Sequence, residues 1–469
     1  MRHPEVLQRL SRWWRRGDPI PPQSREALRR RWSELPSSAR TPAQVLGRQA
    51  VGCEGTHGVF PRCNLTCTPC YHSADANKVR VDAQHTLTEV RAQMAFLRSV
   101  RGPRAHAQLI GGEVSLLDPQ THAATLAVMR EHGREPMSFT HGDFDEEYLL
   151  RMALDESGRP RFGRLSFAAH FDSLMRGRRG LSRPRSEAEV QQYRERFTAM
   201  FDRLRRDHGV RSYLAHNMTV TPANIDEVAQ VVRECLSTTS FSMYSFQPAA
   251  YVGDARRWRE DLRAVTPDQV WAEVEKGVGV RLPHDAIIFG DPRCNRTSFG
   301  WMVGGRFVPL LVDDDPRDLH ARDQYLSRLG GLQLGGIAPA LVAVRLARAA
   351  LANLSQVVVA TGWLRRAVRR SGGVVALVKG GVRPMTFVMH VFMDAKVVAP
   401  AWELMQRGEI SIDPAVRAAQ ERLGACAYAM GHPELGRTVP ACVQHSVLDP
   451  AANARLRRLL PLAVVPREP

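Results

Sequence analysis

Between residues 58 and about 248, short apolar runs alternate with longer stretches of helical period. The runs fall at 59–60, 107–110, 137–139, 165–169, 212–215 and 241–246, and each ends in polar residues. A short apolar run with polar ends predicts a buried strand, and the stretches between predict helices. One helix is expected to open on a capping box, Thr86 with Glu89, and to bury Val90, Met94 and Leu97. Another is expected over residues 187–208. Regular strand–helix alternation predicts parallel strands joined by right-handed crossovers. Six such units fit a partial (β/α)6 barrel, and a doubly wound open sheet has the same local pattern.

The flanks read differently. Residues 1–50 predict a basic helical extension, with Leu10, Trp13 and Trp14 among Arg9, Arg12, Arg15 and Arg16. Such a helix can lie on a membrane surface or pack its tryptophans on the main domain. After about Thr266 the strand–helix pattern stops. Residues 341–370 are rich in Ala and Arg and predict helix, bracketed by Gly330-Gly331 with Gly335-Gly336 and by Gly372-Gly373. Residues 374–399 return to β-branched and apolar types. The division expected is an extension over 1–50, an α/β domain over 51–265 and a C-terminal α+β domain over 266–469.

Composition narrows the class. Of 469 residues, 44% are hydrophobic and 24% charged, as in a soluble globular protein. Eight cysteines are too few and too clustered for a secreted disulfide framework, and they suit a reducing cytosol with a metal site. The start, Met-Arg-His-Pro-Glu, lacks the apolar core of a signal peptide, and no run of about eighteen uncharged apolar residues occurs. A cytoplasmic chain is expected, peripheral to a membrane at most. The net charge of +17 raises a nucleic-acid reading. Its arginines are scattered, however, and the lysines are Lys78, Lys276, Lys379 and Lys396. DNA is not an expected partner, and the basic surface suits anionic lipid headgroups equally well. No phosphate-cradling loop with Lys, no His-Glu-x-x-His pair and no Gly-x-Ser-x-Gly elbow is present.

The chemistry concentrates in Arg62-Cys-Asn-Leu-Thr-Cys-Thr-Pro-Cys-Tyr-His72. Cys63, Cys67 and Cys70, spaced Cys-x3-Cys-x2-Cys, can hold three irons of an iron–sulfur cube and leave the fourth open to a cofactor. Two other readings stay open on this loop alone. One is a Cys3His zinc site using His72, as in a zinc-stabilised RNA-binding protein without catalysis; the other is unlinked core thiols. About forty residues on, at the end of the second expected strand, stands Gly111-Gly112-Glu113. Glycines allow close backbone approach, and a carboxylate matches an ammonium group.

The cysteine loop followed by Gly-Gly-Glu resembles the radical S-adenosylmethionine (SAM) superfamily. The resemblance implies a [4Fe–4S] cluster on Cys63, Cys67 and Cys70, with Gly111, Gly112 and Glu113 gripping the SAM amino group. It also implies reductive cleavage of SAM to a 5′-deoxyadenosyl radical that takes hydrogen from an unactivated carbon. An external electron donor, such as flavodoxin or ferredoxin, is implied with it. The usual aromatic residue before the third cysteine is replaced by Pro69, and Tyr71 follows instead.

Catalytic groups in parallel α/β folds gather at the carboxyl ends of strands. The expected ends carry Thr140-His141-Gly142-Asp143, His170-Phe171-Asp172, His216-Asn217 and Gln247-Pro248. By resemblance Asn217 would hold the ribose and Gln247 the cofactor, with His170 a catalytic candidate. Tyr71, Tyr244 and Tyr251 are candidate hydrogen donors to a substrate radical, or structural tyrosines. Further on, Cys294, Cys426 and Cys442 lie in contexts resembling the superfamily branch that contains archaeal tetraether lipid synthase. The likeness extends to Gly305-Arg306-Phe307-Val308-Pro309 and Phe392-Met393-Asp394-Ala395. It implies an auxiliary iron–sulfur cluster on the three cysteines, completed by a residue such as His445 or Cys235 or by substrate. It further implies carbon–carbon coupling on a lipid or other long apolar molecule. Modification of a peptide or RNA is the alternative.

Overall fold

The computed structural model describes residues 17–72, 75–253, 258–334 and 338–462, together with Gln8, Ser11, residues 13–15 and Ala255. Eleven strands form one sheet: β1 (Cys53–Gly55), β2 (Ala105–Leu109), β3 (Arg134–Thr140), β4 (Arg164–His170), β5 (Arg211–Val220), β6 (Met243–Pro248), β7 (Asn295–Val303), β8 (Arg306–Pro309), β9 (Arg383–His390), β10 (Tyr428–His432) and β11 (Arg437–Pro440). Their order is β8-β7-β9-β6-β5-β4-β3-β2-β1-β10-β11. From β10 through β1–β6 to β9 the strands run parallel; β7, β8 and β11 add antiparallel edges. β1 to β6 lie side by side in chain order, without the reversal that marks a doubly wound sheet. The segment after 265 enters the same sheet on both sides, with β9 beside β6 and β10 beside β1.

Helices between the strands supply the main core. Ala83–Arg101 buries Val90, Met94 and Leu97; Glu187–His208 buries Phe197, Phe201 and Leu204. They meet Leu109, Phe167, Leu214 and Met218 of the sheet in one apolar cluster. Each such side chain contributes about 1.5–3 kcal/mol on burial. At the other end of the strands the buried Arg134 guanidinium grips Glu54, at 2.8 and 3.0 Å, tying β3 to β1 across β2.

Several expected elements move. The first strand is Cys53–Gly55, not 59–60. Val59 and Phe60 are buried, but their carbonyls accept from Thr86 Oγ1 and Gly112 N–H rather than from a ladder. The helix expected to open at Thr86 starts at Ala83, because Asp82 caps the His85 N–H at 2.9 Å. β5 runs on to Val220, so Asn217 sits inside a strand, level with the end of β4. The 341–370 helix breaks at Asn353 (φ −145°, ψ 62°) into Pro339–Ala352 and Leu354–Arg370, bent by 115°. In 374–399 only 383–390 find ladder partners, β6 and β7; Gly373–Gly380 is helical despite its valines. Of the expected extension, Leu10, Arg9, Arg12 and Arg16 lie outside the described residues, as do Gly335 and Gly336. Trp13 and Trp14 are exposed, and Pro22–Glu34 is helical.

Candidate active site

The cysteine loop leaves β1 and is held from several sides at the carboxyl ends of the parallel strands. Gly112 N–H donates to Phe60 O at 2.8 Å, and Glu113 N–H to Arg62 O at 2.9 Å. The Gly-Gly-Glu turn is thus bonded backbone to backbone with the residues entering the loop. A Cβ on Gly112 would sit 2.1 Å from Arg62 O, and one on Gly111 would sit 2.5 Å from the Phe60 ring. This close approach is what glycine at both positions allows. Thr66-Cys67 pairs antiparallel with Met175-Arg176, after β4. The loop following β6 closes in as well: a Cβ on Gly253 would lie 2.2 Å from Tyr71 O.

Asn64 ties the loop to β3. His141 Nδ1 accepts the Asp143 N–H at 3.0 Å, so its proton is on Nε2, which donates to Asn64 Oδ1 at 2.8 Å. Burial lowers the His141 pKa and favours this neutral imidazole. Glu113 is fully buried. Its Oε1 accepts from Ser115 N–H (2.9 Å), Ser115 Oγ (2.6 Å) and Thr140 Oγ1 (2.7 Å), and its Oε2 from His141 N–H (2.8 Å). Burial alone would raise its pKa. The His141 ring and the hydrogen bonds from Ser115, His141 and Thr140 outweigh that and hold it below its ordinary value. The carboxylate therefore joins the ends of β2 and β3 directly behind the cysteines.

Burial pushes the Cys63 thiol up to about 12, with Glu113 and Cys70 adding, and drives Cys67 well above its ordinary value, with Cys70 and Asp172 adding. Cys63 and Cys67, each raised by burial and by Cys70, need a cationic centre to ionise together. The donor set and this crowding fit an iron–sulfur cluster. His72 Nε2 is bonded to Gly111 O. Among the described residues, the three ligand atoms that gather within 4.8 Å belong instead to His57, His432 and Glu434.

Tyr71 donates its hydroxyl to the same Gly111 carbonyl at 2.9 Å, and burial, with Cys70 next, keeps it a phenol. Its ring meets His445 at 4.5 Å, and His445 Nδ1 is bonded to Asp449 at 2.7 Å. Gln444 links Asp449 (2.9 Å) to His432 (2.6 Å), whose ring stacks on His57 at 3.8 Å. This buried polar chain after β1 and β10 was not read from the sequence. Its members lie about 375 positions apart, and only the placement of His57 and His432 at strand ends hints at it.

The remaining candidates divide. His170 Nε2 bonds Asp172 at 2.6 Å, beside the Cys67 loop. Asn217 is buried and its Nδ2 has no partner among the described residues, leaving an open donor level with His170. Gln247 donates to Ser245 Oγ at 2.8 Å. His216 faces the helices, where its Nε2 accepts from Arg194 at 3.1 Å. Tyr244 is fully buried and stacked on Phe387, a core tyrosine. Tyr251 donates to Arg259 O at 2.8 Å and stacks on Trp258.

The C-terminal cysteines come together from distant segments. Burial raises Cys442 to about 12, with Cys426 and Cys294 adding, and Cys294 to about 11, where Arg422 opposes it by donating to Sγ at 3.2 Å. Cys53, opposite Tyr428 across β1 and β10, is raised to about 11 by burial, then Glu54, with Cys426 adding further. Cys53 thus lies near Cys426 as well. Cys235 is buried on the helix Val228–Thr238 with its thiol on Gln191, and His445 is committed to Asp449.

No protein-family model matches the chain, and no curated protein matches it. Solved structures similar to part of it include native anSMEcpe with bound AdoMet, at TM-score 0.31 and 15% identity over 47% of this chain and 58% of that chain. Another is native anSMEcpe with bound AdoMet and the Cp18Cys peptide, at TM-score 0.31 and 12% identity over 48% of this chain and 58% of that chain. The chain thus spans 58% of the length of each.

Proposed function

We propose that this chain is a radical SAM enzyme. Cys63, Cys67 and Cys70 would hold a [4Fe–4S] cluster, and SAM would bind against Gly111-Gly112 at the carboxyl ends of a partial barrel formed by β1–β6. The observation that carries the reading is the backbone lock between the three-cysteine loop and the Gly-Gly-Glu turn. A cluster held by Cys63, Cys67 and Cys70 would supply the electron for cleaving SAM to a radical able to take hydrogen from an unactivated carbon. The chain's own residues do the positioning. Glu113 and His141 fix the loop from behind, Asn217 offers a donor for a ribose hydroxyl, and Tyr71 and His170 flank the cysteines. The task of the fold would be to hold the reacting carbon in place and to exclude competing hydrogen donors.

An external one-electron donor such as flavodoxin or ferredoxin is part of this reading. So is an auxiliary iron–sulfur cluster at Cys294, Cys426 and Cys442, supported by the charge repulsion each of these thiols would exert on the others. A lipid or other long apolar substrate with carbon–carbon coupling rests on the sequence resemblance around those cysteines. A peptide or RNA substrate is the second reading, favoured by the net charge of +17. The decisive experiment is anaerobic reconstitution. The wild type should carry iron and sulfide and release 5′-deoxyadenosine from SAM with a reductant. Undiminished 5′-deoxyadenosine from the Cys63→Ala, Cys67→Ala, Cys70→Ala variant would refute the assignment.

A further inference from the structure

Of three consecutive helices, Pro339–Ala352, Leu354–Arg370 and Gly373–Gly380, the first two are amphipathic in the inverted sense. In the first, Arg345 is buried and Arg348 turns inward to Asp18, while Leu346 and Leu351 face solvent, Leu351 being 76% exposed. In the second, Gln356 bonds Gln324, and Arg366 and Arg370 both grip the buried Asp318. The opposite stripe is apolar: Leu354 is 69% and Val358 is 74% exposed. In the third, Val375 and Val378 are exposed. A water-facing helix normally does the reverse. Here the arginines satisfy Asp18 and the buried Asp318, and no described residue covers the aliphatic side chains. Such a contiguous exposed patch marks an interaction site.

Charge identifies the occupant. Residues 324–393 contain no Asp or Glu, and Arg365, Arg369 and Lys379 are exposed on the same helices as the apolar stripe. A second copy seated symmetrically would bring these cations against themselves. An anionic bilayer answers both features, with acyl chains for the aliphatic stripe and headgroups for the cations. The helices have 14 and 17 residues, about 21 and 26 Å at 1.5 Å per residue, and a 115° bend separates them. Neither reaches across a hydrocarbon core of about 30 Å, so the geometry is that of lying in the interface. Trp14 packs under Arg348 at 4.6 Å, on the same helix. That places exposed Trp13 and Trp14 next to it, a residue type favoured at the membrane–water boundary.

We infer that this helical hairpin docks the protein on anionic lipid surfaces. The inference does not rest on the radical SAM reading, and its test needs neither cluster nor SAM. The full chain would be co-sedimented with vesicles of mixed phosphatidylglycerol and phosphatidylcholine, and with vesicles of phosphatidylcholine alone. Expected is binding to the anionic vesicles that is at least about tenfold tighter than to the neutral ones and weakens with added salt. The variant Leu351→Glu, Leu354→Glu, Val358→Glu changes exposed positions only and should keep the wild-type denaturation midpoint while losing at least about tenfold in vesicle binding. Arg365→Ser with Arg369→Ser should flatten the salt dependence. Absence of binding to anionic vesicles, or equal binding by the Glu variant, would overturn the inference. So would a sedimentation-velocity dimer that the Glu variant abolishes while vesicle binding stays unchanged.

Discussion

Glu113→Gln separates a framework role from direct contact with a cofactor. The carboxylate has four hydrogen bonds inside the protein, three on Oε1 and one on Oε2. A glutamine can keep the three by placing its oxygen at the Oε1 position. Its amide NH2 then points at the backbone N–H of His141, donor against donor. The loss of one charge-assisted bond is worth about 1.5–3 kcal/mol, and the two unsatisfied buried donors add about 1–3 kcal/mol. The sum, about 2.5–6 kcal/mol, is a large part of the roughly 5–15 kcal/mol that holds a domain folded. Glu113→Ala loses all four bonds and should be worse. The assay is urea unfolding of the full chain followed by tryptophan fluorescence, with no cofactor added. The pH dependence adds a second signature. The folded pKa of Glu113 lies below its ordinary value, so its stabilisation is complete above that ordinary value and is lost as pH falls through the folded one. Glu113→Gln should lack this acid-side loss. A wild-type midpoint in Glu113→Gln, within about 0.5 kcal/mol, would refute the framework role. If SAM affinity fell at the same time, Glu113 would be a direct ligand instead.

Further outcomes follow from particular contacts. Gly112→Ala would place a Cβ 2.1 Å from Arg62 O; iron content after reconstitution should drop severalfold while far-UV circular dichroism stays unchanged. Glu54→Gln leaves the buried Arg134 charge unpaired and should destabilise by about 3–5 kcal/mol in the same urea assay. His122 is buried between Tyr148 Oη and Ser138 Oγ, and burial lowers its pKa to about 4. The unfolded chain then binds the extra proton as pH falls from about 6.5 to 4, so stability should fall over that window by up to about 1.4 kcal/mol per pH unit. A His122→Asn urea titration should show a flatter slope there. In the Cys63→Ala, Cys67→Ala, Cys70→Ala background, any iron retained should be insensitive to SAM, and removing Cys426 and Cys442 should discharge it.

The local chemistry is legible in the residues themselves. Cysteines four and three apart share one loop whatever the fold, and a Gly-Gly pair marks a close backbone approach whatever it approaches. Strand and helix alternation came from period, because burial of one face imposes it on every residue of an element. Thus the helix burying Val90, Met94 and Leu97 was legible, while its start was not: Asp82 and Thr86 are both plausible caps, and only the fold sends the Thr86 hydroxyl to Val59 O. Tertiary structure alone decided what Gly112 approaches, and that the Glu113 carboxylate is shared between β2 and β3. It also decided that Cys53 stands with Cys426, residues 373 positions apart in the chain. Such meetings depend on which strands become neighbours. β10 pairs with β1 only after the chain has returned across the whole sheet, and no local pattern encodes that return. The inverted helices make the same point from the other side. The Arg-Ala-Val pattern of 341–370 predicts a helix, but which face meets water is set by Asp18, Asp318 and Gln324, which draw the arginines and Gln356 inward and leave the leucines outside.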